Sequence, residues 1–294
     1  MDNTKNVLRV CGNNFLKWRA NARVLVTFLL AAIFLYSATD GLRAIAVESD
    51  MAVTPWAFPF LSANDAMHQL LFLLAVFLFC DAPFFDEQYP YVCARCGRRV
   101  WARGQVLYIF SGAAVYTAAL YGFSLLVFGP YLSFSAQWGK LLRTLANAAE
   151  TLGNTDTGLA TGDVAGRILS YYTPLQATGL TLLLTWLGCA FLGLLMFLLN
   201  LRFHRAVGSI AAIAFVMMDF FLQVFTVGQG FVMPVLFFFS PLSWSNLARI
   251  QVRPGEFSPP AWYAVVVLLG LVVLLSALSL HAMKRRDVEI LPEV

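Results

Sequence analysis

Residues 257–283 of this chain read FSPPAWYAVVVLLGLVVLLSALSLHAM, a run without a single Asp, Glu, Lys or Arg. A bilayer hydrocarbon core about 30 Å thick is crossed by about 20 consecutive apolar residues in a helix. The whole chain shares this character, since 60% of its 294 residues are hydrophobic and 12% are charged, whereas soluble domains average about 25% charged residues. These values exclude a disordered chain, disfavour a nucleic-acid-binding protein and predict a helical membrane protein.

Five further runs have the length and the low charge of membrane spans. Two of them, 105–139 and 168–201, are longer than one membrane crossing needs. The residues beyond one crossing are rich in aromatic residues, Gly and Pro, which fit the membrane interface. The runs are residues 24–39, 65–81, the part of the uncharged stretch 105–139 that starts at Gln105, the interior of 168–201, and the stretch that begins at Ala206. We therefore predict an all-α polytopic fold, a single domain over residues 1–294 with six transmembrane helices.

The segments that connect these runs differ in positive charge. The side that includes the N-terminus holds 14 Lys and Arg residues, and the opposite side holds 6. Because cytoplasmic loops keep an excess of Lys and Arg, the side that includes the N-terminus is predicted to be cytoplasmic. An even number of spans places the C-terminus on the same side, so both termini are predicted to be cytoplasmic. The longest loop, residues 131–174, and the proline-rich stretch 233–256 are then predicted to be external.

Residues 5–22 have the pattern of an amphipathic helix. Apolar side chains recur at spacings of three and four residues, which places them on one helical stripe. The stripe consists of Leu8, Cys11, Phe15, Trp18 and Ala22. We predict that this helix lies in the cytoplasmic membrane interface, either as an anchor alone or also in contact with a cytoplasmic partner. The N-terminus lacks the features of a cleaved signal peptide, so we expect the first span to be retained as an anchor.

Sequence motifs of enzymes are lacking. There is no Walker phosphate loop, no HExxH zinc pair and no GxSxG nucleophile motif. The three histidines, His68, His204 and His281, lie at the ends of different predicted spans. Cys93 and Cys96 form half of a zinc-ribbon pattern, which needs four ligands, so they are either a coincidence or part of a site shared across a dimer. We therefore expect this chain to have no enzyme activity and no cofactor of its own.

Asp219 is an ionisable residue deep inside a predicted span. It lies about 20 Å along its helix at a rise of 1.5 Å per residue. A charge at this depth is costly and usually faces a bundle interior or a water-filled path. Gln223 follows one turn later on the same face. The two residues are therefore either a functional polar site within the membrane or a hydrogen-bonded contact that only holds helices together.

Two neighbouring stretches resemble a known protein family. Residues 80–87, CDAPFFDE, and residues 95–108, RCGRRVWARGQVLY, are similar to the second-span exit and the following loop of type-2 ABC exporter permeases, in particular those of Gram-positive bacteria. The family pattern is an Asp-Ala-Pro-Phe exit, a short loop, and Arg-x-Gly-Arg-[RK]-x-Trp before a Gly-Gln that opens the third span. The six-span layout after an amphipathic helix also fits, whereas Cys93 and Cys96 depart from the pattern.

The resemblance implies a permease subunit of an ATP-driven exporter in the bacterial plasma membrane. Such a subunit forms the translocation pathway with a second permease copy or a paralogue, while separate ATP-binding cassette subunits bind ATP and Mg²⁺ and hydrolyse the nucleotide. By resemblance, the inner loop 86–104 is the coupling element and residues 233–256 form a re-entrant external segment. The residues placed at or beside the ATPase contact are Glu87, Arg98, Arg99 and Trp101.

Two further expectations concern the external segment and the source of energy. Phe238, Phe239 and Trp244 are candidates for an apolar external gate that suits an amphiphilic or lipid-like cargo. The alternative function is a stand-alone proton-coupled carrier or membrane sensor, in which Asp219 carries the proton. Peptides, drugs, lipids and glycan precursors all remain open as cargo, and so do a homodimer and a pair of different permeases.

Overall fold

All regular structure in the described part of the chain is helical. The computed structural model describes residues 3–82, 89–147, 159–160, 162–203, 206–226, 235–251 and 255–285. Within these ranges, extended backbone pairs only at two isolated bridges, between Val53 and Leu132 and between Gln251 and Pro260. The prediction of an all-α fold is confirmed.

The described residues form eleven α-helices of six residues or more. In chain order they are α1 (Asn3–Lys17), α2 (Ala22–Ser49), α3 (Phe58–Ala63), α4 (Asp65–Phe79), α5 (Tyr89–Cys96), α6 (Arg98–Leu126), α7 (Lys140–Asn147), α8 (Gly162–Tyr171), α9 (Pro174–Arg202), α10 (Val207–Thr226) and α11 (Ala261–Arg285). The predicted external loop 131–174 contains α7 and α8. The described part of the proline-rich stretch contains three 3₁₀ turns, at Phe237–Phe239, Ser243–Ser245 and Leu247–Arg249.

Four of the described helices are long and apolar enough to cross a membrane, namely α2, α6, α9 and α11. The other two predicted spans fall on the shorter apolar helices α4 and α10. α4 is short because the chain breaks at Asn64, whose side chain caps the helix by accepting a hydrogen bond from the Met67 N–H at 3.1 Å. The residues before the break form the separate helix α3, in which every residue is buried.

Two helix boundaries differ from the prediction. α1 ends at Lys17 instead of residue 22, because the Asn21 side chain already caps α2 by accepting from the Arg23 N–H. α6 begins at Arg98, ahead of the predicted start near Gln105. Gly97, with a φ of +82°, allows the sharp change of direction between α5 and α6. Residues 98–104 of the predicted coupling loop therefore belong to a long helix.

One set of helix ends meets on what we call the N-terminal face. Arg23 at the start of α2 forms an ion pair with Asp81, just after α4. Asn200 near the end of α9 donates to the Ala82 carbonyl oxygen at 2.5 Å and accepts from the Gly208 N–H of α10 at 2.7 Å. The starts of α2 and α10 thus lie beside the ends of α4 and α9.

The opposite helix ends meet on what we call the loop face. The Val53 N–H, after α2, donates to the Tyr131 carbonyl oxygen, after α6, at 2.8 Å. The Trp138 indole N–H donates to the Tyr172 carbonyl oxygen, just before α9, at 3.0 Å. α2 and α6 therefore end on the loop face, whereas α9 starts there and runs back to the N-terminal face.

α9 is the central helix. It packs on α4, α6, α10 and α11. Of the residues in its 18-residue apolar stretch, 67% are buried, against 28–39% in the corresponding stretches of the other three long helices. The outer helices α2 and α11 instead expose aliphatic side chains, among them Leu25, Leu29, Val266 and Val273. Apolar outward faces of this extent fit a lipid environment and not water.

The packing around α9 predicts a glycine-specific effect on stability. A Cβ atom on Gly193 would lie 2.6 Å from the Ile109 Cγ2 of α6, whereas one on Gly179 of the same helix would meet nothing within 4 Å. Gly193→Ala is expected to lower the free energy of unfolding by about 1–3 kcal/mol through overpacking, measured by thermal unfolding in detergent. Gly179→Ala is the matched control and should cause no loss, so equal losses at both positions would contradict this packing.

Candidate functional site

α1 is seated on the first turns of α6 at the N-terminal face. Gly104 permits the close approach, because a Cβ atom there would lie 2.5 Å from Val10 Cγ1. The buried Asn14 amide donates to the Gln105 side-chain oxygen at 2.7 Å. This bond fixes the register of the two helices, since sliding either one would leave buried polar groups unpaired. The Gly-Gln pair of the sequence motif therefore forms the seat of α1.

Aromatic side chains extend the contact between α1 and α6. The Trp18 indole N–H donates to the Tyr108 hydroxyl oxygen at 2.6 Å, and the Phe15 ring packs edge-on against Tyr108 with centroids 5.2 Å apart. In the predicted apolar stripe, Cys11 is buried, but Leu8 is 58% exposed. Much of the stripe thus contacts protein, because the bundle offers α6 as an apolar surface.

The short helix α5 is fastened to the same region. Trp101 of α6 is 3% exposed and packs its ring against Tyr89 of α5, with centroids 4.8 Å apart. The Trp101 ring also lies near Phe197 of α9, at 6.3 Å. Trp101 is therefore buried between α5 and the central helix α9 and is not a surface residue.

The outward side of α5 is polar and accessible. Tyr91 is 78% exposed, and Arg95 and Arg99 are exposed as well. Arg98 is half-buried at the start of α6. Glu87, the remaining residue of the predicted coupling set, lies outside the described residues. The described members of the set are thus grouped on the N-terminal face around α5.

A cavity of about 480 Å³ separates α1 from α5. Its walls are rich in cationic and amide side chains, and its lining includes Arg9, Asn13, Lys17, Arg95, Trp101 and Gln105. Such groups bind carboxylates and other anions through charge-assisted hydrogen bonds. We refer to α1, α5, the first turns of α6 and this cavity as the platform.

Cys93 and Cys96 lie on α5 as free thiols. Cys93 is buried, and burial raises the pKa of its thiol. In the part of the chain that the structure describes, no three His, Cys, Asp or Glu side chains converge to hold a metal ion. These residues supply no zinc site within one copy of the described chain.

Asp219 is fully buried between α4, α10 and residues 235–251. Its Oδ2 accepts from the Gln69 side-chain amide at 2.8 Å, and its Oδ1 accepts from the Ser240 hydroxyl at 2.9 Å. His68, one residue before Gln69 on α4, places its Nδ1 3.4 Å from Asp219 Oδ2. A buried carboxylate needs such partners to offset the loss of hydration.

The other ring nitrogen of His68 contacts the turns after α10. His68 Nε2 lies 2.8 Å from Ser245 Oγ and 3.1 Å from the Leu242 carbonyl oxygen. Ser245, His68 and Asp219 are therefore linked in the order hydroxyl, imidazole and carboxylate. His68 is 1% exposed and Ser245 is 2% exposed, so the series is enclosed by protein.

Arg249 completes the cluster at the loop face. Its Nη2 donates to Asp65 Oδ1 at 2.5 Å, its Nη1 lies 3.9 Å from Asp219 Oδ1, and its guanidinium is 5.4 Å from the Phe237 ring centroid. We define the Asp219 cluster by its side chains, which are Asp65, His68, Gln69, Asp219, Ser240, Ser245 and Arg249. The cluster joins α4 and α10 to residues 235–251.

The remaining predicted site residues do not share one environment. Gln223 follows Asp219 on α10, but its side chain lies outside the described residues. Phe239 is 73% exposed, whereas Trp244 is buried and donates its indole N–H to the Phe237 carbonyl oxygen at 2.7 Å. Phe238 packs on Tyr263 of α11, with centroids 5.4 Å apart. The three proposed gate residues thus differ in environment, and Trp244 belongs to the core.

Asp219 was predictable from the sequence as a buried polar residue, but its partners were not predicted. Asp65, His68 and Gln69 stand at positions i, i+3 and i+4 of α4, so they share one face of an apolar helix. That face was a detectable signal for a polar contact inside the bundle. Arg249 carried no such signal, because it lies in a segment without helical periodicity.

Comparisons of this chain with protein-family models, with curated proteins and with solved structures each gave no match. The family resemblance therefore rests on the motif residues and on the predicted layout of the spans.

Proposed function

We propose that this chain is the transmembrane permease subunit of an ATP-driven ABC exporter in the bacterial plasma membrane. In this proposal, α2, α4, α6, α9, α10 and α11 are six spans, and the N-terminal face is cytoplasmic. The excess of Lys and Arg on that side supports the orientation. A second permease copy or a paralogue would complete the translocation pathway.

One observation carries the proposal, namely the way in which α5 is held on the platform. α5 presents exposed Tyr91 and Arg95, and Arg99 is exposed nearby at the start of α6. Tyr89 of α5 packs on Trp101, whose ring also lies near Phe197 of the central helix α9. A force applied to α5 would reach α6 and α9 through close-packed rings. Packed elements of this kind transmit domain movement, because they shift as rigid bodies.

The partner in this proposal supplies the nucleotide chemistry. The chain carries no Walker phosphate loop, so ATP and Mg²⁺ would be bound by separate cassette subunits docked under the platform. The basic cavity between α1 and α5 fits an acidic side chain of such a subunit. α1, seated against α6, would act as a second wall of the docking surface and as an anchor in the membrane interface.

Charge reversal on α5 and at the start of α6 tests the docking surface. The double variant Arg95→Glu and Arg99→Glu is expected to abolish co-purification of the ATP-binding subunit, because like charges would face the acidic partner. The measurement is a pull-down of tagged permease from its native membrane, together with export in cells. Lys140→Glu, an exposed cation on the loop face, is the matched control and should retain the ATPase.

Two results of this pull-down would contradict the exporter proposal. If the native chain never recovers an ATP-binding subunit, or if the double variant recovers it as well as the control does, the exporter proposal fails.

A second candidate function is a stand-alone proton-coupled carrier, which the burial of Asp219 beside His68 favours. Reconstitution in vesicles separates the two candidates. Transport driven by a proton gradient without ATP or a partner would support the carrier, whereas transport that requires the cassette subunits would support the exporter.

A further inference from the structure

We propose that His68 and Asp219 together form a proton-binding site, and that the bound proton holds residues 235–251 against α4 and α10. This inference concerns the loop face and does not depend on which energy source drives the chain. It goes beyond the proposed docking of an ATPase, which involves the opposite face.

The acceptor groups around His68 Nε2 determine where its protons lie. The Leu242 carbonyl oxygen, 3.1 Å from Nε2, can only accept a hydrogen bond, and Ser245 Oγ lies 2.8 Å from Nε2. Ser245 has a single O–H, which donates to the same carbonyl oxygen at 3.0 Å. All three groups are satisfied when His68 Nε2 carries a proton and Ser245 accepts from it.

This assignment leaves His68 Nδ1 facing Asp219 Oδ2 at 3.4 Å. Without another proton, both atoms would present lone pairs to each other in a buried site. With one more proton, the pair is either an imidazolium and a carboxylate or a neutral imidazole and a carboxylic acid, and both forms are attractive. The geometry therefore favours one additional proton shared by His68 and Asp219.

Loss of that proton would disturb the turn that holds Leu242 and Ser245. The remaining imidazole proton would move to Nδ1 to meet Asp219, and Ser245 would have to give its O–H to Nε2. The Leu242 carbonyl oxygen would then lose the Ser245 hydroxyl and face the lone pair of Nε2, keeping only the longer bond from the Ser245 N–H at 3.3 Å. Proton binding is thus linked to the fit of residues 240–246 on α4.

The surrounding charges also favour one additional proton on the His68–Asp219 pair. Arg249 pairs with Asp65 at 2.5 Å and lies 3.9 Å from Asp219. On α8 and in the chain before α11, Arg167 and Glu256 pair with each other at 2.9 Å. In the Asp219 cluster, the two carboxylates are balanced by Arg249 and by the shared proton.

Among the described residues, Tyr263 of α11 is a further titratable group that contacts this segment, and its hydroxyl donates to the Phe238 carbonyl oxygen at 3.1 Å. It therefore faces the backbone of the 235–251 segment and not the His68–Asp219 pair. Removing the shared proton would leave one uncompensated negative charge in a buried site, which opposes the closed arrangement. The segment is expected to loosen as the proton leaves.

Thiol labelling of the segment tests this linkage. Ser243 is fully buried, whereas Phe239 is 73% exposed in the same segment. The probe is a membrane-impermeant maleimide, and the labelling rate of Ser243→Cys is divided by that of Phe239→Cys at each pH to remove the reactivity of the thiol itself. Because the closed form holds one proton more than the open form, the ratio is expected to rise by up to about tenfold per pH unit above about pH 6.5, where an exposed imidazole is neutral.

Matched substitutions identify the groups that bind the proton. Asp219→Asn and His68→Gln should each abolish the pH dependence of the labelling ratio, whereas Asp40→Asn, at an exposed carboxylate on α2 outside the cluster, should retain it. A flat ratio in the native background, or an unchanged slope in both Asp219→Asn and His68→Gln, would overturn the proposal. Hydrogen exchange of residues 240–250, corrected for intrinsic rates, gives the same comparison without introduced cysteines.

Serine-directed chemistry provides an independent check. The order Ser245, His68 and Asp219 is also that of a hydrolase triad, so the purified chain is treated with a fluorophosphonate probe. No labelling of Ser245 is expected, because its hydroxyl is buried and bonded to the Leu242 carbonyl oxygen. Labelling of Ser245 would contradict a purely proton-binding role. All of these measurements use the detergent-purified full chain without an ATPase, so their outcome is distinguishable from failure of the exporter proposal.

Discussion

Asp219→Ala is expected to lower the free energy of unfolding by about 3–5 kcal/mol, measured by thermal unfolding of the detergent-purified chain. The substitution removes the acceptor of the Gln69 amide and of the Ser240 hydroxyl, at 2.8 and 2.9 Å. It also removes the carboxylate oxygens that lie 3.4 Å from His68 Nδ1 and 3.9 Å from Arg249 Nη1. Because these groups are buried, water cannot replace the lost contacts without opening the bundle.

A matched control and a double substitution sharpen this prediction. Asp40→Ala removes an exposed carboxylate whose partner is Arg43, one turn away on α2, and should cost at most about 1 kcal/mol. The pair of Asp219→Ala and His68→Ala should show a coupling energy of about 0.5–3 kcal/mol, because each substitution removes the partner of the other. Losses at Asp219 and Asp40 of the same size would contradict the cluster.

The helices were predictable from the sequence, because uncharged runs of membrane length need no partner to be recognised. α2, α6, α9 and α11 all coincide with such runs. The predicted run 65–81 starts where α4 starts, at Asp65, but the separate helix α3 before it was not predicted. The break between the two helices depends on a local hydrogen bond from the Met67 N–H to the Asn64 side chain. Hydropathy alone does not register a break of this kind.

The buried polar contacts were harder to predict than the helices. Asp219 was conspicuous because a carboxylate in an apolar run is costly. Its partners lie 150 residues away on α4 and 21 residues later in a proline-rich segment. Pairing at such separations is decided by how the helices are arranged, and one sequence contains no information on that arrangement beyond the shared face of Asp65, His68 and Gln69.

The shared face of the motif residues on α6 was predictable from the sequence, but what covers that face was not. Trp101, Gly104, Gln105 and Tyr108 stand at helical spacings of three, one and three residues, which predicts that they share one face. The structure covers this face with α1 and α5. The resemblance directed attention to Trp101 as a surface contact, but its ring is buried because the face that carries it is already occupied within the chain.

Gly104→Leu is expected to release α1 from its seat while the helical bundle stays folded. A Cβ atom at position 104 already lies 2.5 Å from Val10 Cγ1 and 3.3 Å from the Val7 carbonyl oxygen, so a leucine has no room unless α1 moves. Overpacking of about 1–3 kcal/mol corresponds to an increase of roughly 5- to 150-fold in the open population of α1. The rate at which a maleimide alkylates Cys11, which is buried against α6 beside Ser111, measures that population.

The matched control is Gly122→Leu, because a Cβ atom at Gly122 on the same helix meets nothing within 4 Å. It should leave the alkylation of Cys11 unchanged. If α1 is a wall of the docking surface, Gly104→Leu should also reduce recovery of the ATP-binding subunit, whereas the control should not. Faster alkylation together with full recovery of the ATPase would support the contact between α1 and α6 but contradict a role of α1 in the docking surface. Unchanged alkylation would show that Gly104 does not set the contact between α1 and α6.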